Sequence, residues 1–157
     1  MMADVGFNSG DAMPRTQVRM AGYVTAALLS CALLPADAAV VVIGSRDIDV
    51  ASLNEKTVRN LYLGKTVQLD NGTRVEVIDL PSGNAVRDEF YEKVIGKDST
   101  QIKAYWAKRI FTGKGSPPAT RFDEHMVIKW VSEAPGRIGY VSAAATDNSV
   151  KVLLRKE

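Results

Sequence analysis

Residues 75–96, VEVIDLPSGNAVRDEFYEKVIG, read as a strand, a sharp turn and a helix. Val75, Val77 and Ile78 are β-branched, as a half-buried strand prefers. Pro81-Ser82-Gly83-Asn84 is a turn cluster. Val86, Phe90, Tyr91 and Val94 recur at helical spacing, and Gly96 stands where a helix stop belongs. The first N–H groups of such a helix have no intrahelical partner and carry partial positive charge, so the Ser-Gly-Asn turn can hold an anion. The same residues also make an ordinary cap at Ser82 or Asn84. Both readings stand at this point.

Upstream, residues 39–43 (AVVVI) form a continuous apolar run before Gly44, suited to a strand buried on both faces. Asn54 is placed to cap a helix, with Leu53 and Val58 as a hydrophobic staple, and Gly64 ends it. Asp70-Asn71-Gly72 turns the chain into the strand at Val75. Downstream, Asp98 or Ser99 caps a helix whose apolar stripe is Ile102, Tyr105, Trp106 and Ile110. Residues 111–118 (FTGKGSPP) lack the spacing of a phosphate-gripping Walker loop, and Pro117 and Pro118 forbid the helix that should follow, so they read as a surface connection. Phe122 and Val127 are spaced to staple a helix capped by Asp123, with Val127, Trp130, Val131 and Ala134 facing inward. Pro135-Gly136 stops it. Residues 137–141 (RIGYV) and 150–154 (VKVLL) are the last strands. The order strand, helix, strand, three helices, strand, strand gives an α/β fold, a small mixed sheet flanked by about four helices.

The N-terminus reads as a leader. Arg15 and Arg19 precede an apolar run over residues 20–34, and Ala36-Asp37-Ala38 supplies a small-residue cleavage site. Residues 1–38 are therefore expected to be a secretory signal peptide, with translation starting at Met13 or with residues 1–12 as a tolerated extension. A lipoprotein anchored at Cys31 and an uncleaved anchor are the alternatives. The expected compartment is the periplasm, and residues 39–157 make one domain.

Composition narrows the chemistry. Twenty Lys and Arg against 18 Asp and Glu leave a formal charge of +2, scattered along the chain, which does not point to nucleic acid. The single cysteine, Cys31, falls in the leader, so the remaining chain has neither a disulfide nor thiol chemistry. After the leader no apolar stretch is long enough to span a membrane. The single histidine, His125, lies near Asp123 and Glu124 at a helix start, the setting of a solvated first-turn residue. Asp88, Glu89 and Glu92 read as one solvated helix face. With no metal-ligand spacing, no cofactor motif and no general acid–base pair, no catalytic, metal or cofactor residues are assigned.

One combination is specific. It comprises Leu61-Tyr62-Leu63-Gly64-Lys65, Ser82-Gly83-Asn84 opening a helix with Arg87 and Phe90, Tyr105-Trp106, Phe111-Thr112-Gly113, and Ala134-Pro135-Gly136-Arg137-Ile138-Gly139-Tyr140-Val141. This set resembles the phosphate-binding component of bacterial phosphate ABC transporters, within the type 2 periplasmic-binding-protein superfamily. It is most similar to the short stand-alone members, and the resemblance covers nearly all of residues 39–157. It implies one lobe of that fold and a phosphate or related oxyanion bound at Ser82, Gly83 and Asn84, with Arg87 the nearest source of positive charge. The family's arginine and aspartate, four and two residues before the serine, are Ile78 and Leu80 here. Asp79 between them would repel a dianion unless it is turned away or paired. Arg87 has a second reading, as a solvated residue paired with Glu76 or Asp88.

The resemblance also implies partners. Full-length members close two lobes on the ligand, and this chain has room for one. A homodimer or a different protein would supply the second, an ABC permease would take the ligand onward, and the edge of the strand at residues 39–43 is a pairing surface. Two functions from different classes follow: a solute-binding module, or an interaction domain that kept the fold and lost the ligand site.

Overall fold

The computed structural model describes residues 39–157. The leader, with Met13 and Cys31, lies outside the described residues. In chain order the elements are β1 (Val40–Gly44), α1 (Glu55–Tyr62), β2 (Glu76–Asp79), α2 (Ala85–Phe90) running into a π-helical turn at Tyr91–Ile95, α3 (Ser99–Phe111), β3 (Ala119–Thr120), α4 (Glu124–Ser132), β4 (Arg137–Ser142) and β5 (Lys151–Lys156). The strands form one mixed sheet in the order β3-β2-β4-β1-β5. This is the expected α/β architecture, with five strands and four helices.

The apolar run at residues 40–43 does what its composition dictates. β1 is buried along its whole length and lies between β4 and β5, antiparallel to both, with Val42 opposite Tyr140 on one side and Leu154 on the other. Both edges of β1 are therefore hydrogen-bonded. This corrects the expectation that its edge is free for pairing, because a strand that continuous and apolar is most stable in the interior of a sheet, with a neighbour on each side. β2 runs parallel to β4 on one side and to β3 on the other.

Adjacent residues of β4 show which helix covers which face, since successive side chains of a strand point to opposite sides. A Cβ placed on Gly139 would meet Val127 and Val131 of α4, at 2.6 and 3.1 Å. The next residue, Tyr140, stacks on Phe90 of α2 with ring centroids 3.8 Å apart and meets Tyr62 of α1 edge-on at 5.6 Å. So α4 lies on one face, and α1 and α2 lie on the other. α3 sits beyond α1: the Tyr105 hydroxyl donates to Leu63 O at 2.7 Å, and Arg109 Nη2 donates to Gly64 O at 3.0 Å.

The helix boundaries follow local chemistry. Asn54, Asn84, Asp98 and Asp123 cap the four helices with their side-chain oxygens, and Asp98 forms a reciprocal capping box with Gln101. Leu53 and Val58 are both buried, as their staple requires. Gly96 takes the left-handed conformation that ends the π-helical turn.

Residues 111–118 are the exposed connection expected, and they lead into a short strand that reading the sequence did not place, because Ala119 and Thr120 pair with Ile78 and Asp79. Two further expectations fail for tertiary reasons. That pairing continues as Arg121 N donates to Asp79 O, and the next side chain, Phe122, is left 81% exposed rather than stapled to Val127. Ile110 is 56% exposed, because the buried side chains of α3 are Ile102 and Trp106.

Gly139 is the point of closest approach between α4 and the sheet. Gly139→Ala should destabilise the fold by about 1–3 kcal/mol through overpacking, read as a lower urea midpoint with an unchanged slope.

Candidate functional site

The C-terminal end of β2 carries a buried carboxylate. Asp79 is 2% exposed, and it is surrounded by donors from three other elements. Tyr140 of β4 donates its hydroxyl to Oδ1. Tyr91 of the π-helical turn donates to Oδ2 at 2.8 Å. Arg87 of α2 places Nε 3.4 Å from both carboxylate oxygens. Leu80 N donates to Oδ1 at 2.8 Å and is also 3.2 Å from the Tyr140 hydroxyl. One residue earlier, Ile78 O accepts from Tyr62 of α1 at 3.0 Å.

Burial first, and then the Asp79 charge and its hydrogen bond, push the Tyr91 and Tyr140 phenols far above the ordinary tyrosine range. Burial followed by the Asp79 charge does the same to Tyr62. All three therefore keep their protons and donate them, while the Tyr140 oxygen also accepts from Leu80 N. Arg87 is 9% exposed and its guanidinium lies 4.6 Å over the Tyr91 ring. Neither residue first considered as its partner is the one: Arg87 is buried, and its acid is Asp79, across the turn. Asp79 is thereby paired rather than aimed at a ligand. Ile78 and Leu80 are both buried in the core, which accounts for their apolar character.

The turn itself divides the four candidate residues. Gly83 has φ of +85°, a conformation that suits glycine, and open space where a Cβ would be. Asn84 turns its side chain onto α2, where Oδ1 accepts from Val86 N at 2.9 Å and Arg87 N at 3.2 Å. Ser82, Gly83 and Arg87 line a cleft of about 730 Å³, and Asn84 does not. Across the cleft α3 contributes Ser99, Thr100, Lys103 and Trp106. Asp88 also lines it, and its Oδ1 is buried with no partner among the described residues. Reading the sequence missed the α3 side, because only folding brings residues 99–106 opposite residues 82–88. It also missed the donors from Tyr91 and Tyr140, for which the only signal was two tyrosines on apolar faces. Among the described residues no three His, Cys, Asp or Glu side chains come together as a metal site.

No family model matches the chain, and no curated protein matches it. Solved structures do. An ABC-type phosphate transport receptor from Vibrio cholerae superposes with a TM-score of 0.57 at 15% identity, over 73% of this chain and 44% of that one. A putative phosphate ABC transporter substrate-binding protein with bound phosphate from Clostridium perfringens gives 0.58 at 18%, over 74% and 45%. PstS from Borrelia burgdorferi gives 0.56 at 16%, over 73% and 46%. The chain thus shares the fold of phosphate-binding transport proteins and spans less than half the length of each.

The Asp79–Arg87 pair can be tested as a unit. Asp79→Leu and Arg87→Met should each cost about 3–5 kcal/mol, because each strands a buried charge. The double variant should be at least about 1 kcal/mol more stable than the sum of the two losses predicts. Additive losses in urea unfolding would show that the pair is not coupled.

Proposed function

We propose that this chain is a periplasmic solute-binding domain that holds phosphate or a related oxyanion at the Ser82-Gly83-Asn84 turn. The observation that carries the reading is the cleft at that turn, in a fold shared with proteins described as phosphate receptors. Ser82 and the backbone at Gly83 are exposed there. Asn84 shapes the turn by capping α2 rather than by touching the ligand. Lys103 supplies net positive charge from α3, while the charge of Arg87 is largely countered by Asp79. The Asp88 carboxylate lines the cleft and, as an acceptor, favours an anion that carries a proton, hydrogen phosphate, over fully ionised sulfate.

A single lobe leaves the ion in contact with water and salt, where each hydrogen bond contributes only about 0.5–1.5 kcal/mol. Two or three such contacts sum to about 1–4.5 kcal/mol, an affinity of about a millimolar at best. Tighter capture needs a second lobe, from a homodimer or another protein, and delivery to an ABC permease follows from the same reading. So does export through the leader at residues 1–38, with lipid attachment at Cys31 as the alternative mode of retention.

A second reading, an interaction domain without a ligand, is favoured by one observation: the Asn84 side chain and Asp79 already occupy the helix N–H groups and the arginine that an anion would use.

Calorimetric titration of phosphate into the purified protein, with molar mass by light scattering, separates the two. Binding is expected to be saturable, weaker at high salt, about tenfold weaker in Lys103→Gln, and less selective against sulfate in Asp88→Asn. No heat at millimolar phosphate from folded protein would overturn the oxyanion reading in favour of the second.

A further inference from the structure

A second cleft, of about 400 Å³, runs beside β2 on the side away from β4. It exists because β3 is only two residues long and pairs with β2 at Ile78 and Asp79 alone, leaving Glu76 and Val77 without a strand on that side. One wall is the segment around Val67, held to β2 where Val75 N donates to Val67 O at 2.9 Å. The other is the chain entering β3, from Ser116 to Arg121. Its volume, and a lining that mixes apolar side chains with a few charged and polar ones, are those of a small-molecule site.

The charges of the cleft are not balanced. Glu76 is engaged by Arg137, whose Nε lies 3.8 Å from its carboxylate. Arg137 itself covers the Trp130 ring, at 4.4 Å. That leaves Arg74 and Arg121, and neither forms an ion pair among the described residues. Arg121 donates Nη1 to Thr120 O and its guanidinium lies 5.7 Å over the Trp130 ring, contacts that leave it without a carboxylate among the described residues. Trp106 and Trp130 both line the cleft, and Trp106, 6% exposed, has a buried indole N–H with no acceptor among the described residues. Two guanidinium groups without an ion pair among the described residues, beside a lining that is part apolar and an indole N–H in want of an acceptor, match an anionic head on a small, partly apolar body.

We infer that this cleft is a binding site for a small aromatic or alicyclic carboxylate or phosphate ester, separate from the Ser82 turn. The anionic group lies between Arg74 and Arg121, and the ring lies on the apolar part of the lining beside Trp106, since the Trp130 ring is already covered by Arg137 and Arg121. Trp106 also borders the Ser82 cleft, so it is the one side chain through which the two sites touch.

The test uses benzoate and phenyl phosphate as probes, with benzamide as the neutral counterpart of benzoate. The chain has two tryptophans, both in this cleft, so the two indole N–H signals in an NMR spectrum of the full protein report occupancy directly. Both signals should shift saturably with benzoate and phenyl phosphate, and benzamide should bind at least about tenfold more weakly. Arg74→Gln and Arg121→Gln should each weaken benzoate about tenfold, while Lys103→Gln should leave it unchanged. If Arg121→Gln lowers the melting temperature, Arg74→Gln, an exposed position, decides alone. Absence of shifts at tens of millimolar probe, equal binding of benzamide, or insensitivity to Arg74→Gln would each overturn the assignment. Loss of benzoate binding in Lys103→Gln would do so too, by moving the probe to the Ser82 cleft.

Discussion

A carboxylate removed from water must be met by donors on every side, and Asp79 is met by a strand, a helix and a π-helical turn. Much of the arrangement on that face of the sheet depends on this. α2 must start where Arg87 can reach back across the turn. The π-helical turn at Tyr91–Ile95 must bring the Tyr91 hydroxyl down to Oδ2. β4 must be in register so that Tyr140 reaches Oδ1. The ring stack of Phe90 on Tyr140, with Tyr62 edge-on, packs apolar surface around the same point.

The network has a consequence for the turn above it. Residues 81–84 leave the end of β2 from a backbone anchored at Ile78 O, Asp79 and Leu80 N, so the turn springs from a rigid base. The same anchoring takes Arg87 out of solution. A positive side chain one turn into a helix is ordinarily available to a ligand, but here it neutralises a buried acid. The charge at the cleft accordingly shifts to Lys103 on α3, which approaches only because Tyr105 and Arg109 tie that helix to the end of α1.

The two clefts come from different features of the sheet. The one at Ser82 lies beyond the end of β2, where the parallel strand hands the chain to a helix, and parallel strands with helices on both faces commonly place ligands there. The other exists because β3 stops after two residues. Arg74 and Arg121, which form no ion pair among the described residues, lie along that gap, whereas the Ser82 turn carries a paired cation.

The four helix caps, the stop at Gly96 and the burial of residues 40–43 were legible in the sequence, because each depends on a few neighbouring residues and their backbone preferences. The turn at residues 81–84 was legible for the same reason. What local chemistry could not supply was partnership across the fold. Arg87 has acids close by in sequence, yet it pairs with Asp79, because burial makes an unpaired carboxylate far costlier than a lost surface ion pair. The apolar Ile110 and Phe122 point outward because α3 and β3 were placed by longer-range contacts. β1 became an interior strand of the sheet through strands about a hundred residues downstream. The sequence alone determined most of the helices, strands and turns; only tertiary structure decided the short strand at Ala119–Thr120 and which charges meet, because both depend on distances in space set by the packing of the whole sheet.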